Sequence, residues 1–202
     1  EGNDNFATVA ANVDGRLFTG LSLGGTLETG ATTHHTYGMP MLAGSSVKGA
    51  VRSYTEHLFA ERNQDGTLQF EKADNTNKII IKEDKKQILD TLFGTDSDDD
   101  TQGDAGYLIW HDAWWIPMVN DQGSLLTGSD HKPFVGDIVT VHHPKYYSRE
   151  LDAALDMENP VPNQQVAIQG SFYFVIEGEQ KWVHFAKELL KATIENAGLG
   201  SK

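Results

Sequence analysis

The segment that most constrains this chain is Gly38-Met39-Pro40-Met41-Leu42-Ala43-Gly44-Ser45-Ser46-Val47-Lys48-Gly49-Ala50-Val51-Arg52, which opens a helix with an unusual charge arrangement. Ser45 or Ser46 is the predicted N-cap. Val47, Ala50, Val51, Tyr54, Leu58 and Phe59 recur at helical spacing, so a helix is predicted from Ser45 to about Glu61. With Ser45 as cap, the third helical position holds Lys48 where a capping box would place Glu. A cation beside the positive end of the helix dipole costs about 0.3–1 kcal/mol unless something negative sits there. Arg52 lies four residues on, so the two cations share a face, and the backbone N–H groups of the helix start point the same way. That combination suits a phosphate. The plain alternative is that both cations snorkel from an ordinary amphipathic helix. The surroundings favour the anion, because no Asp or Glu occurs between Glu28 and Glu56 in a chain with 29 acidic residues.

A formal net charge of −13 excludes a protein that coats nucleic acid with its whole surface, yet leaves room for a local groove. Acid is concentrated in Asp96-Ser97-Asp98-Asp99-Asp100, in Glu83-Asp84 and in the stretch from Glu177 to Glu179. Three segments carry bases and no acid: Gly30 to Thr55, Ile138 to Arg149, and Asn196 to Lys202. Converging in the fold, they would form a neutral or basic track on an acidic body. The 202 residues suffice for one sizeable core, so a single domain over 1–202 is expected, with a polar and acidic insertion around 62–105. No apolar run reaches transmembrane length and no charged-then-apolar leader is present, so a cytoplasmic location is expected. The absence of cysteine rules out disulfides and thiolate metal sites.

Phe6 to Leu27 reads as strand material broken by turns at Gly15, Gly20 and Gly24-Gly25. Asn63-Gln64-Asp65-Gly66 marks a turn, Ile79-Ile80-Ile81 a short strand, and Lys85 to Phe93 a short helix stopped by Gly94. The acidic stretch from Thr95 to Asp104 reads as a solvated loop. A calcium loop is discarded there, since Thr101 stands where Gly is needed and Tyr107 where a bidentate Glu is needed. Gly106 to Trp115 reads as one strand and Ile138 to Val141 as another, the latter delivering His142-His143-Pro144-Lys145-Tyr146-Tyr147. Val166 to Ile176 alternates into a further strand. A last helix presents Trp182, Phe185, Ala186, Leu189, Leu190 and Thr193 on one face and stops at Gly198. The order predicts an α+β fold with two main helices packed on one face of an antiparallel sheet.

The run from Gly44 to Arg52, following Tyr37-Gly38-Met39-Pro40, resembles the Gly-Ser-Ser-hydrophobic-Lys-Gly-x-x-Arg signature of the RAMP proteins of CRISPR type III effector complexes. Leu92-Phe93-Gly94, then Gly106 through Asp112-Ala113, then Val141 through Tyr147, resemble the order seen in the sixth-subunit family of the Cmr (type III-B) complex. Gly198-Leu199-Gly200-Ser201-Lys202 resembles the start of the RAMP Gly-rich loop. The resemblance implies a ferredoxin-like, RRM-related fold with loop insertions. It implies a non-catalytic RNA-binding subunit that caps the 3′-proximal end of the guide RNA and supports target RNA recognition in antiviral defence. Its partners would be guide and target RNA, the backbone RAMP subunit and the adjacent end-capping subunit, with no cofactor. Carried onto this chain, the RNA-binding residues are Gly44, Ser45, Ser46, Lys48, Gly49, Arg52, Lys145, Tyr146, Gly198, Gly200 and Lys202. Lys48 and the helix start would hold one phosphate and Arg52 a neighbour or the loop. Gly44 and Gly49 would admit a close backbone approach, and Lys145 and Tyr146 would add a charge and a stacking face.

Rival chemistries fit less well. A metal-dependent hydrolase built from His34, His35, Asp104, His111, Asp112, His142 and His143 lacks His-Glu-x-x-His, and adjacent strand histidines cannot both face one metal. A P-loop needs Gly-Lys-Ser/Thr, whereas Gly44-Ser45-Ser46-Val47-Lys48 reverses the order. Three closer alternatives stay open: a Csm-type terminal subunit, a backbone subunit with an active Asp, and a metal-independent guide-processing endoribonuclease using His34, His35 or His57 as base.

Overall fold

The computed structural model describes residues 4–20, 31–73, 76–95, 103–126, 128, 131–141, 148–150, 152–153 and 161–200. Within them the chain runs β1 (Phe6–Asn12), β2 (Met41–Leu42), α1 (Gly44–Phe59), β3 (Phe70–Ala73), β4 (Thr76–Ile79) and α2 (Glu83–Phe93). It continues through β5 (Ile109–Trp110), β6 (Ala113–Ile116), β7 (Phe134–Val141), β8 (Val161–Ile168), β9 (Ser171–Glu177) and α3 (Gln180–Asn196). This is the expected α+β arrangement, with two long helices and one short one. The chain divides into two compact units, Glu1–Ala11 with Met41–Trp114 and Phe172–Leu199, and Asn12–Pro40 with Trp115–Ser171 and Gly200–Lys202.

The first unit is built on the sheet ordered β1-β9-β6-β2, with β5 also pairing β9. Ile109 stands opposite Glu177 and Trp110 opposite Ile176, while Met41 and Leu42 face Trp114 and Ala113, all antiparallel. Along β9, Phe172, Phe174 and Ile176 are buried and Tyr173 is exposed, the period-two signature of a sheet with one covered face. In α1, Val47, Val51 and Thr55 recur every four residues as the buried stripe. Thr55 is tolerated there because its hydroxyl donates to the Val51 carbonyl at 2.7 Å. Leu58, predicted on the apolar face, is 48% exposed instead. In α3 the buried residues are Val183, Ala186, Leu189, Leu190 and Thr193, so Val183 takes the place expected for Phe185. The short helix α2 begins two residues earlier than predicted, drawing Glu83 and Asp84 into its first turn where they complement the dipole. It stops at Gly94 as expected, with φ +83° and the Gly94 N–H donating to Asp90 O at 2.8 Å.

In the second unit β7 and β8 form a long antiparallel ribbon, from Phe134 opposite Ile168 to Val141 opposite Val161. Leu17 exchanges backbone bonds with Ile168 at 2.9 and 2.8 Å. The expected single strand from Val166 to Ile176 is corrected to two strands, β8 and β9, separated at Gln169-Gly170. Gly170 has φ +98°, and a Cβ there would lie 2.7 Å from Trp115 Nε1, so the turn needs glycine on both counts. The same indole donates to the Gln169 carbonyl at 2.8 Å.

Candidate nucleic-acid interface

The expected strand from Gly106 to Trp115 is likewise corrected: it breaks at His111-Asp112 into β5 and β6. The two side chains at the break explain it. His111 Nε2 lies 2.9 Å from Glu177 Oε2, and Asp112 Oδ1 accepts the Gly44 N–H at 2.7 Å. The break thus hands a carboxylate to the start of α1, 68 residues away in sequence.

That carboxylate changes the capping scheme. The N-cap is Ala43, with no side-chain cap bond, so the prediction of Ser45 or Ser46 is corrected. Gly44 is the first helical residue, and Ser45 and Ser46 are exposed second and third residues. Lys48 therefore stands at the fifth helical position, beyond the first turn, where the dipole penalty fades. Of the first four helical N–H groups, Gly44's goes to Asp112, and those of Ser46 and Val47 go to Ala43 O at 2.9 and 3.0 Å. Among the described residues only the Ser45 N–H is left without an acceptor. α1 holds no acid in its own first turn, and Asp112 supplies it through space.

Gly44 does permit a close backbone approach, but the approaching backbone belongs to this chain. A Cβ on Gly44 would lie 2.0 Å from the Trp110 carbonyl oxygen and 3.0 Å from the His111 carbonyl carbon. Gly49 is the opposite case. It is exposed, and a Cβ there would meet nothing within 4 Å. Helical spacing puts Ser45, Lys48, Gly49, Arg52 and Glu56 on one stripe beside the buried one. Lys48 is half-buried and, among the described residues, makes no hydrogen bond or ion pair. Arg52 Nε donates to Glu56 Oε1 at 2.9 Å, so this cation is already shared with an acid. A recess of about 150 Å³ beside that pair is lined by Arg52, Glu56, Ile81, Lys86, Leu89, Asp90 and Gly94.

The other predicted residues are placed as follows. The Gly198 N–H donates to Thr193 O at 2.9 Å and Gly198 has φ +76°, so its donor closes α3. Gly200, with φ +83°, sits against Leu17 and Phe18, where a Cβ would meet Leu17 Cδ1 at 2.4 Å. Lys145, Tyr146 and Lys202 lie outside the described residues, as do His142, His143 and residues 96–102 of the acidic loop. Of the histidines weighed as bases, His57 Nδ1 lies 2.7 Å from the Ser53 carbonyl. His34 Nδ1 accepts from the Thr36 and Tyr37 N–H groups at 3.2 and 3.4 Å.

Sequence reasoning missed two contributors. Glu56 was readable, since an acid four residues after Arg52 is a standard helix pair. Asp112 was not, because nothing local links it to Gly44.

Comparison with known proteins meets this geometry at the level of family. The RAMP superfamily matches residues 12–202. The CRISPR system Cmr subunit Cmr6 of Pyrococcus furiosus is 23% identical over 220 residues, covering 93% of this chain; the chain spans 62% of that relative's length. A cryo-EM structure of the type III-B Cmr-beta bound to cognate target RNA holds a chain that superposes with a TM-score of 0.57 at 20% identity. That match covers 98% of this chain and 54% of the other. A crystal structure of Cmr6 from Pyrococcus furiosus gives a TM-score of 0.48 at 21% identity, covering 98% of this chain and 94% of that one. With antiparallel strands and three helices among its described residues, and a family match over almost its whole length, the chain has the ferredoxin-like RAMP fold and belongs to the RAMP superfamily, resembling the CRISPR system subunit Cmr6.

Proposed function

We propose that this chain is a non-catalytic RNA-binding subunit of a type III-B (Cmr) ribonucleoprotein, capping the 3′-proximal end of the guide RNA beside the backbone subunit and supporting target RNA recognition. The observation that carries the reading is the α1 stripe: Lys48 unpaired among the described residues, flanked by the exposed Ser45 and Ser46 and by Gly49 with open space above it. A lysine with no partner among the described residues, in an acid-free stretch of an acidic chain, is a ready phosphate contact. The exposed glycine lets a sugar–phosphate backbone come close to the helix. The names of the similar proteins, a Cmr subunit and a Cmr complex bound to target RNA, supply the assembly. The test incubates the purified chain with labelled single-stranded guide-like RNA at low and moderate salt and resolves both the complex and the RNA length. Salt-sensitive binding of intact RNA is expected. Site-specific cleavage abolished by substituting His34, His35 or His57 would replace this reading with the guide-processing endoribonuclease.

A further inference from the structure

Resting on that RNA-binding reading, we infer that Asp112 is a positioning residue with an electrostatic cost: it occupies the anion position at the start of α1, so that RNA phosphate is met instead on the outer stripe of the helix, by the Ser45–Lys48–Gly49 surface. Three observations converge on it. The Asp112 carboxylate accepts the Gly44 N–H at 2.7 Å, which is the bond an N-terminal phosphate would otherwise make. The Ser46 and Val47 N–H groups are closed onto Ala43 O, so no cluster of donors is left there to cradle a phosphate. Gly44 lies so close to the Trp110 and His111 backbone that the side of the helix start facing the strand break is filled by protein. What is left uncommitted among the described residues lies on the outer stripe: the Ser45 N–H and Lys48.

Asp112 therefore acts in two opposed ways. Its hydrogen bond fixes where α1 begins and hence where Lys48 and Gly49 stand. Its charge repels the phosphate that Lys48 attracts: helix rise puts Gly44 and Lys48 about 6 Å apart along the axis, inside a Debye length of about 8 Å. Asp112→Asn separates the two, because the amide oxygen still accepts from Gly44 while the charge is gone. Asp112→Ala removes both.

The experiment uses a reconstituted type III-B ribonucleoprotein carrying the full chain and a 3′-end-labelled guide RNA, challenged with a 3′→5′ exoribonuclease over a salt series. Thermal melts of the isolated chains run alongside. Asp112→Asn is expected to lengthen the half-life of the labelled end by about two- to five-fold at low salt, the gain fading as salt rises. Its melting temperature should fall only slightly. Asp112→Ala is expected to melt clearly lower and to protect the end less than Asp112→Asn does. Lys48→Ala should shorten the half-life. If Lys48→Ala shortens it and Asp112→Asn does not lengthen it, the electrostatic role of Asp112 is wrong while the RNA-binding reading stands. Asp112→Ala matching Asp112→Asn in both protection and melting would overturn the positioning role. Lys48→Ala indistinguishable from the native chain would overturn the reading itself, and this inference with it.

Discussion

Gly44→Ala and Gly49→Ala make the same chemical change five residues apart in one helix, and the structure predicts opposite signs. In an open helix interior, alanine is favoured over glycine by about 0.8–1 kcal/mol, and Gly49 meets that condition because nothing lies within 4 Å of its added Cβ. At Gly44 the same methyl would sit 2.0 Å from Trp110 O and 2.9 Å from Trp110 C, which are backbone atoms with no rotamer to yield. Overpacking of this kind costs about 1–3 kcal/mol. Relief by moving the helix start would lengthen the 2.7 Å Gly44–Asp112 bond, and a hydrogen bond to a charged group contributes about 1.5–3 kcal/mol. Only one of these penalties need be met in full, since relief of the first incurs the second. Subtracting a propensity gain of up to about 1 kcal/mol, Gly44→Ala should destabilise by roughly 0.5–2 kcal/mol. Against a typical total of about 5–15 kcal/mol that is a large fraction. Urea melts should show the midpoint falling for Gly44→Ala and rising for Gly49→Ala at unchanged slope, which isolates stability from denatured-state effects. A Gly44→Ala variant as stable as Gly49→Ala would refute the packing argument.

Three further outcomes are expected. Lys48→Ala should weaken RNA retention more than Arg52→Ala, because Arg52 is already shared with Glu56; each lost phosphate contact should flatten the log–log salt dependence by about 0.7, measured by filter binding. Trp115→Phe should cost about 0.5–1.5 kcal/mol in thermal or urea melts, since it removes the 2.8 Å hydrogen bond from the indole to the Gln169 carbonyl. The Thr67 hydroxyl, and then its backbone N–H, hold the Asp65 carboxyl below the ordinary range. A group so lowered adds stability above its unfolded pKa that is lost as pH falls through the folded value, so the stability difference between the native chain and Asp65→Asn should shrink between about pH 5 and pH 2. A difference that stays constant over that range would rule the linkage out.

Local sequence signals located the elements well where the pattern had to be met by neighbours in the chain. The helices around Val47-Val51 and Ala186-Leu189-Leu190 were legible from spacing, and the stops at Gly94 and Gly198 from the need for positive φ. Two strands were misjudged for definite reasons. The run of apolar even-numbered residues from Val166 through Ile168 to Phe172, Phe174 and Ile176 looks continuous because a two-residue turn keeps the parity. In the structure β8 buries Gln165, Ala167 and Ile168 before the turn, and β9 buries Phe172, Phe174 and Ile176 after it. The break at His111-Asp112 leaves no periodic trace, since its causes are Glu177 and Gly44, residues distant in sequence. The cap at Ser45 or Ser46 failed the same way, outcompeted by a carboxylate that no local window contains. For the interface, the residue types of the α1 stripe were legible and their division of labour was not, because whether a glycine faces solvent or a carbonyl is decided by packing.

The bond from Asp112 to Gly44 also has a temporal side. A chain emerging from the ribosome makes α1 early, but its first turn lacks any acid of its own and its cap residue is an alanine. Until Asp112 has been synthesised and the strand break docked, the start of this helix is frayed, as an uncapped helix of 16 residues is marginal in water. A fragment spanning α1 alone should show this as fast amide exchange in its first turn. The surface proposed to bind RNA is thus finished late, by a contact of long sequence separation, so its maturation is tied to completion of the sheet rather than to formation of the helix that carries it.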